Sequence, residues 1–209
     1  VPDTFRRPRA LAALAALLAL VGCDGNTPSA APTGRAETPT TSVRSTTSST
    51  VERSYHAADL DLCARTSLEP LADLALTVTR TDPKPPVGRP GAACLFEMRT
   101  KAGYEANLRV EASTPATVDE ARQLYRGTQQ ATGMTALGSL TDVGDEAEAF
   151  SKRSTPGFKY AEYMVHSRSG NLVVKVWLAV GGDSYAPTSS LAAKSLAVLQ
   201  ATRQAVPTA

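Results

Sequence analysis

The stretch LVVKVWLAV, residues 172–180, decides the fold. Leu172, Val174, Val176, Leu178 and Val180 alternate with Val173, Lys175, Trp177 and Ala179. Side chains along a strand point to opposite faces in turn, so this period of two predicts a strand with one wholly apolar face. Just upstream, Tyr160 to Arg168 is also rich in strand formers, and Ser169 and Gly170 supply the reversal between the two segments. Together they predict an antiparallel hairpin.

The same pattern recurs nearer the N-terminus. Tyr104, Ala106, Leu108 and Val110 alternate with Glu105, Asn107, Arg109 and Glu111, which implies one buried face and one wet one. With Cys94 to Arg99 they predict a second hairpin turning at Thr100 to Gly103. Thr117 and Glu120 have the spacing of a capping box, which opens a helix through about Gln130 that buries Val118, Ala121, Leu124 and Tyr125. Thr66 and Glu69 repeat that spacing beside Leu68, Leu71, Ala72 and Leu74, with Pro70 tolerable in a first turn, and predict a short helix. A strand is expected near Leu76 to Thr79. Loop follows from Asp82 to Pro90, because Pro83, Pro85, Pro86 and Pro90 cannot donate to a ladder. Ala147 to Ser151 reads as a shorter strand and Thr188 to Arg203 as a closing helix. The order helix, hairpin, helix, strand, hairpin, helix predicts an α+β domain over residues 55–205, an antiparallel β-sheet with helices packed on it.

Ahead of that domain the composition changes. Thr, Ser, Pro, Ala and Gly dominate residues 24–54, and large apolar side chains are almost absent. Such a segment buries too little surface to offset its ordering entropy, so it is expected to be a disordered spacer. Before it, Arg6, Arg7 and Arg9 precede an unbroken apolar run from Ala10 to Val21. About twelve apolar residues suit the core of a signal peptide, whereas a membrane-spanning helix takes about twenty. The run ends in Leu20, Val21, Gly22 and Cys23, which resembles the lipobox of bacterial lipoproteins. That resemblance makes residues 1–22 a lipoprotein signal peptide. Cys23 then receives a diacylglyceryl group and anchors the tether, residues 23–54, at the outer face of the cell membrane. Two acyl chains matter, because one binds a membrane only marginally and reversibly.

With Cys23 consumed by lipid, Cys63 and Cys94 remain as a pair in an oxidising compartment, the arithmetic of one structural disulfide, which is expected to pin the short helix of Thr66 to Leu74 to the next strand across the Pro-rich loop. Neither has a second Cys or His at zinc-finger spacing. The 209 residues carry a formal net charge of +2, and Arg6, Arg7 and Arg9 less Asp3 account for all of it. The part after Cys23 is therefore near neutral and lacks the cationic surplus that a nucleic-acid backbone demands.

Four short groups carry a resemblance: Asp61, Leu62 and Cys63 followed by Leu68 and Leu71; Ala93, Cys94, Leu95 and Phe96; Val143, Gly144, Asp145, Glu146 and Ala147; and Gly170, Asn171, Leu172, Val173 and Val174. Across about residues 58–203 the chain resembles a family of small secreted actinobacterial lipoproteins known only as a domain of unknown function. The lipobox and the Thr/Ser-rich tether fit the same group. The resemblance implies a compartment, a disulfide and a fold, and no reaction.

No nucleophile elbow, metalloprotease helix, P-loop or dinucleotide turn is present. His56 and His166 are the imidazoles available as bases near neutral pH, and they lie at opposite ends of the domain sequence. Glu162 and His166 share one strand face with Met164 between them, but no third ligand is spaced to complete a metal site. Asp142, Asp145 and Glu146 surround Gly144 as a small acidic cluster, read equally as a cation site or as a turn leading into a strand, and without EF-hand spacing. Arg80, Lys84 and Arg89 read as solubilising charges. Tyr163 and Trp177 sit on paired strands and are the candidate ligand-facing aromatics, with packing between sheet and helix as the plainer role. No metal and no cofactor are expected.

The chain is thus read as a cell-envelope lipoprotein and not an enzyme. Its domain is expected to bind an envelope protein or a cell-wall or lipid component. A structural or sensor accessory of an envelope complex is the alternative, with an envelope hydrolase behind it. An apolar pocket between sheet and helices would favour a small ligand, and a filled core a protein-facing role.

Overall fold

The structure, a computed structural model, describes residues 53–208. The expected signal peptide, Cys23 and the tether up to residue 52 lie outside the described residues. Seven strands form one antiparallel sheet: β1 (Thr77–Lys84), β2 (Gly91–Arg99), β3 (Glu105–Ser113), β4 (Thr135–Ser139), β5 (Glu146–Ser154), β6 (Lys159–Ser169) and β7 (Leu172–Gly182). Their order is β1, β2, β3, β7, β6, β5, β4, so the two predicted hairpins lie side by side at the centre. Three helices pack on this sheet, α1 (Leu62–Arg65), α2 (Val118–Ala131) and α3 (Thr188–Ala205), with a 3-10 helix at Glu69–Leu74. The fold is the α+β arrangement that the alternation predicts.

Strand parity sorts the layers. Leu172, Val174, Val176, Leu178 and Val180 cluster with Val165 of β6, with Leu108 and Val110 of β3, and with Leu191, Val198 and Leu199 of α3. Leu62 of α1 and Leu71 of the 3-10 helix join the same core. Each such side chain contributes about 1.5 to 3 kcal/mol relative to exposure. The opposite face carries α2 on a separate and much smaller cluster of Ala121, Tyr125 and Val173, with Leu124 beside it. The order of layers is α3, sheet, α2. Both bonds of the capping box at the start of α2 are present, from Glu120 N–H to Thr117 Oγ1 at 3.1 Å and from Thr117 N–H to Glu120 Oε2 at 3.3 Å.

Four expectations need correction. Thr66 does not open a helix; it closes α1, donating its hydroxyl to the Leu62 carbonyl at 2.6 Å, while Asp61 caps the start of that helix. The segment that follows is 3-10. The disulfide between Cys63 and Cys94 accordingly ties α1 to β2, not the segment from Thr66 to Leu74. The strand expected near Leu76 to Thr79 runs on to Lys84, with Pro83 opposite Cys94. It can do so because β1 is an edge strand, where a missing N–H leaves no neighbour unpaired. Glu111, expected on a wet face, is buried and paired with two cations. In addition β4 forms the far edge, a strand for which the sequence holds no signal.

Among the described residues no helix is long and apolar enough to cross a membrane.

Candidate functional site

The chain between β1 and β2 carries Pro85, Pro86 and Pro90, and it cannot join the ladder. It folds instead over the α2 face of the sheet, where side chains take up its backbone groups. Arg109 donates to the Pro85 carbonyl at 3.2 Å, and the Val87 N–H reaches Glu111 at 3.4 Å. Thr114 N–H donates to the Pro90 carbonyl at 2.8 Å. Gly88 is buried against α2. A Cβ there would overlap Leu124 Cδ2 and stand 3.1 Å from Ser113 Cβ, so any side chain would force Leu124 out of its present position.

Between this loop and the second half of α2 an open groove of about 470 Å³ lies over the sheet. Met164 of β6 and Lys175 of β7 are its floor. Leu124, Gly127, Thr128 and Ala131 form one wall, and Val87 stands at the opposite rim, 66% exposed. Thr128 spends its hydroxyl on the Leu124 carbonyl at 3.0 Å, whereas Thr132, at the end of the same wall, keeps a buried hydroxyl with no partner among the described residues. Trp177 flanks the floor as the register partner of Met164.

The charge in the groove belongs to one cluster. Lys175 Nζ lies 3.0 Å from Glu111, and Arg109 pairs with the same carboxylate. Glu111 is buried and the Lys175 side chain is 16% exposed, so two cations share one anion at the base of a largely dry wall.

His166, the register partner of Lys175, is fully buried beneath α2. Its ring stacks on Tyr125 at 4.2 Å and meets the edge of Phe150 at 5.4 Å. Neither nitrogen has a hydrogen-bond partner among the described residues. Burial, and after it the charge of Lys175, holds its pKa down at about 4 against an ordinary 6.5. Glu148, its partner on β5, is held by Gln129 of α2. Burial, followed by the carboxylates of Glu148 and Glu146, pushes the Tyr125 hydroxyl up to about 12.

A stability prediction follows from this buried imidazole. Below pH 6.5 the unfolded chain takes up a proton at His166, and the folded chain refuses it until about pH 4. Above pH 6.5 the group takes nothing from stability. Between the two values the stability falls by about 1.4 kcal/mol per pH unit, roughly 3 kcal/mol in all. Urea midpoints at pH 7 and pH 4.5 should therefore separate clearly for the wild type and much less for His166→Leu. An equal separation in both would assign the acid sensitivity to other groups.

The other sequence candidates fall elsewhere. Tyr163 pairs with Leu178 and belongs to the α3-side core, whereas Trp177 is on the α2 side, so the two share no platform. Of the two, only Trp177 is on the groove's face of the sheet, next to Met164, and it donates its indole N–H to Glu162 at 3.2 Å. Glu162, Met164 and His166 do share a face, with His166 closed off under α2. His56 is exposed, 3.7 Å from Asp59. Asp145 and Glu146 both accept from Arg168, at 2.9 and 2.6 Å, which makes the acidic turn part of a structural clamp. Arg80 and Lys84 pair with Asp82, and Arg89 is exposed. Cys63 and Cys94 are bonded, and Cys23 lies outside the described residues. Among the described residues no three His, Cys, Asp or Glu side chains gather as a metal site.

Val87, Leu124, Thr128 and Lys175 were not singled out from the sequence as a site. The available signal was Lys175, the one charge inside the alternating run of residues 172–180. No family model, no curated protein and no solved structure matches this chain.

Proposed function

We propose that the chain is a cell-envelope lipoprotein held to the outer face of the membrane by lipid on Cys23, and that its domain is a non-catalytic binding module. The ligand lies in the groove between α2 and the loop of residues 85–90. The observation that carries this reading is the groove itself, an apolar-walled opening of about 470 Å³ between sheet and helix, within the range of small-ligand sites. The larger hydrophobic core lies on the α3 side, so the two faces of the sheet divide the work. One face holds the fold together, and the other is left to bind. The lipobox, the tether composition and the resemblance to secreted actinobacterial lipoproteins support the location, and the Cys63–Cys94 bond suits an oxidising compartment.

The test is purification from the native membrane followed by mass spectrometry of what travels with the protein. The wild type should carry a small molecule near one per chain. Thr128→Phe, which fills the groove from a partly exposed helix position, should carry at most about a tenth of that, the loss expected when a bound group is sterically excluded at a cost above 1.4 kcal/mol. An unchanged urea midpoint would show that the variant still folds. Equal amounts on both proteins, or none on either, would overturn the reading.

A further inference from the structure

We propose that the groove takes a single-chain anionic amphiphile, its hydrocarbon chain along the apolar walls and its carboxylate or phosphate head at Lys175. This rests on the binding reading above and names the ligand class for the same site.

The main chain around the groove argues for hydrocarbon. Its floor lies on β6 and β7, with β3 alongside, and all three are interior strands whose backbone groups pair with neighbours on both sides. The wall is the second half of α2, whose N–H groups bond within the helix, so that only the carbonyls of its last turn lack an intrahelical partner. A peptide laid here would bury its N–H and C=O groups with little to answer them, at a cost for each group left unpaired. An alkyl chain carries no such groups. Val87, Leu124, Ala131 and Met164 offer it contact along the whole groove, and Val87 stays largely exposed at the rim until something covers it.

The charge argues for an anionic head. Arg109 and Lys175 share the single carboxylate of Glu111, which leaves one positive charge uncompensated in a partly buried setting. A head with one negative charge neutralises the cluster. A cationic head would place a third positive charge against Lys175 and Arg109. Two further carboxylates stand on this face: Glu148 is engaged by Gln129 and lies across His166 from Lys175 in the sheet, and Glu162 accepts from the Trp177 indole.

The chain contains one tryptophan, Trp177, which is the register partner of the groove residue Met164, so its emission is placed to respond to occupancy. The full chain is titrated with dodecanoate and dodecyl phosphate below their micelle concentrations, and with dodecyltrimethylammonium as the same tail with the opposite head. Both anionic probes should saturate the Trp177 signal at one per chain, and the cationic probe should bind about tenfold more weakly or worse, the worth of one charge-assisted contact. Lys175→Met should weaken dodecanoate by a similar factor and leave the cationic probe no weaker. Glu111→Gln, which frees Lys175, should tighten dodecanoate.

Equal affinity for the two head charges, or an unchanged dodecanoate affinity in Lys175→Met, would overturn the proposal. So would saturable binding that Thr128→Phe leaves intact, since the probe would then sit elsewhere. If no amphiphile binds while Thr128→Phe still strips the co-purifying molecule, the ligand class is wrong and the binding reading stands.

Discussion

Replacing Cys63 and Cys94 together by alanine is expected to lower the unfolding free energy by roughly 3 to 4 kcal/mol. The bond closes a loop whose ends are 31 residues apart in sequence, and loops of that size lose this much denatured-state entropy when cross-linked. The effect is large here because little else holds α1. That helix has four residues and buries one side chain, Leu62, so without the bond it must be retained by the core contact of Leu62 and a few backbone bonds. For a domain of this size the loss corresponds to a melting temperature lower by about 10 °C. Urea titration of the oxidised and dithiothreitol-reduced wild type should reproduce the difference without any mutation. Coincident midpoints would show that the cross-link contributes nothing to the fold.

Arg168→Ala should cost roughly 2 to 3 kcal/mol, for a different reason. The Arg168 side chain is 6% exposed and donates to Glu146 at 2.6 Å, to Asp145 at 2.9 Å and to the Gly170 carbonyl at 3.0 Å. It fastens the turn before β5 to the turn between β6 and β7. Removing it leaves two carboxylates facing each other without their cation, and the Gly170 carbonyl loses its donor. Arg122→Ala, which breaks the exposed pair with Asp119 on α2, should cost at most about 0.5 kcal/mol, because exposed pairs are screened and pay side-chain entropy. Urea midpoints of the two variants check the contrast. If the two losses were equal, the clamp would be no more than a surface pair.

The parts of the fold that the sequence announces are those where one strand or helix face meets the core. Both central hairpins declare themselves by alternation, and α2 by Thr117 and Glu120. The strand β4 shows none of this, because every residue from Thr135 to Ser139 is exposed, Leu137 by 51%, and a bulge at Gly138 breaks the period. With no face buried there is no pattern to read. The extension of β1 through Pro83 depends on its being at the edge, which is a property of the sheet order and not of the segment.

Tyr163 and Trp177 are a different case, since the parity of the hairpin already separates them. A two-residue turn pairs an odd position with an even one, as Tyr163 with Leu178 and Met164 with Trp177, so two odd positions on these strands face opposite ways. The groove lies beyond this kind of reading. Val87, Leu124, Met164 and Lys175 come from four segments, and a Pro-rich loop folding back over the sheet brings them together. Glu111 illustrates the same limit. Its place in the alternation is that of a wet residue, and only the arrival of Arg109, Lys175 and the loop turns it into a buried carboxylate.

A crystal structure of the chain purified from its own membrane, without added detergent soaps, tests the central claim most directly. The groove account predicts density for an elongated molecule along Val87, Leu124 and Met164, with its acidic end beside Lys175. A groove holding only ordered water, with a bound molecule on another surface of the domain, would contradict it.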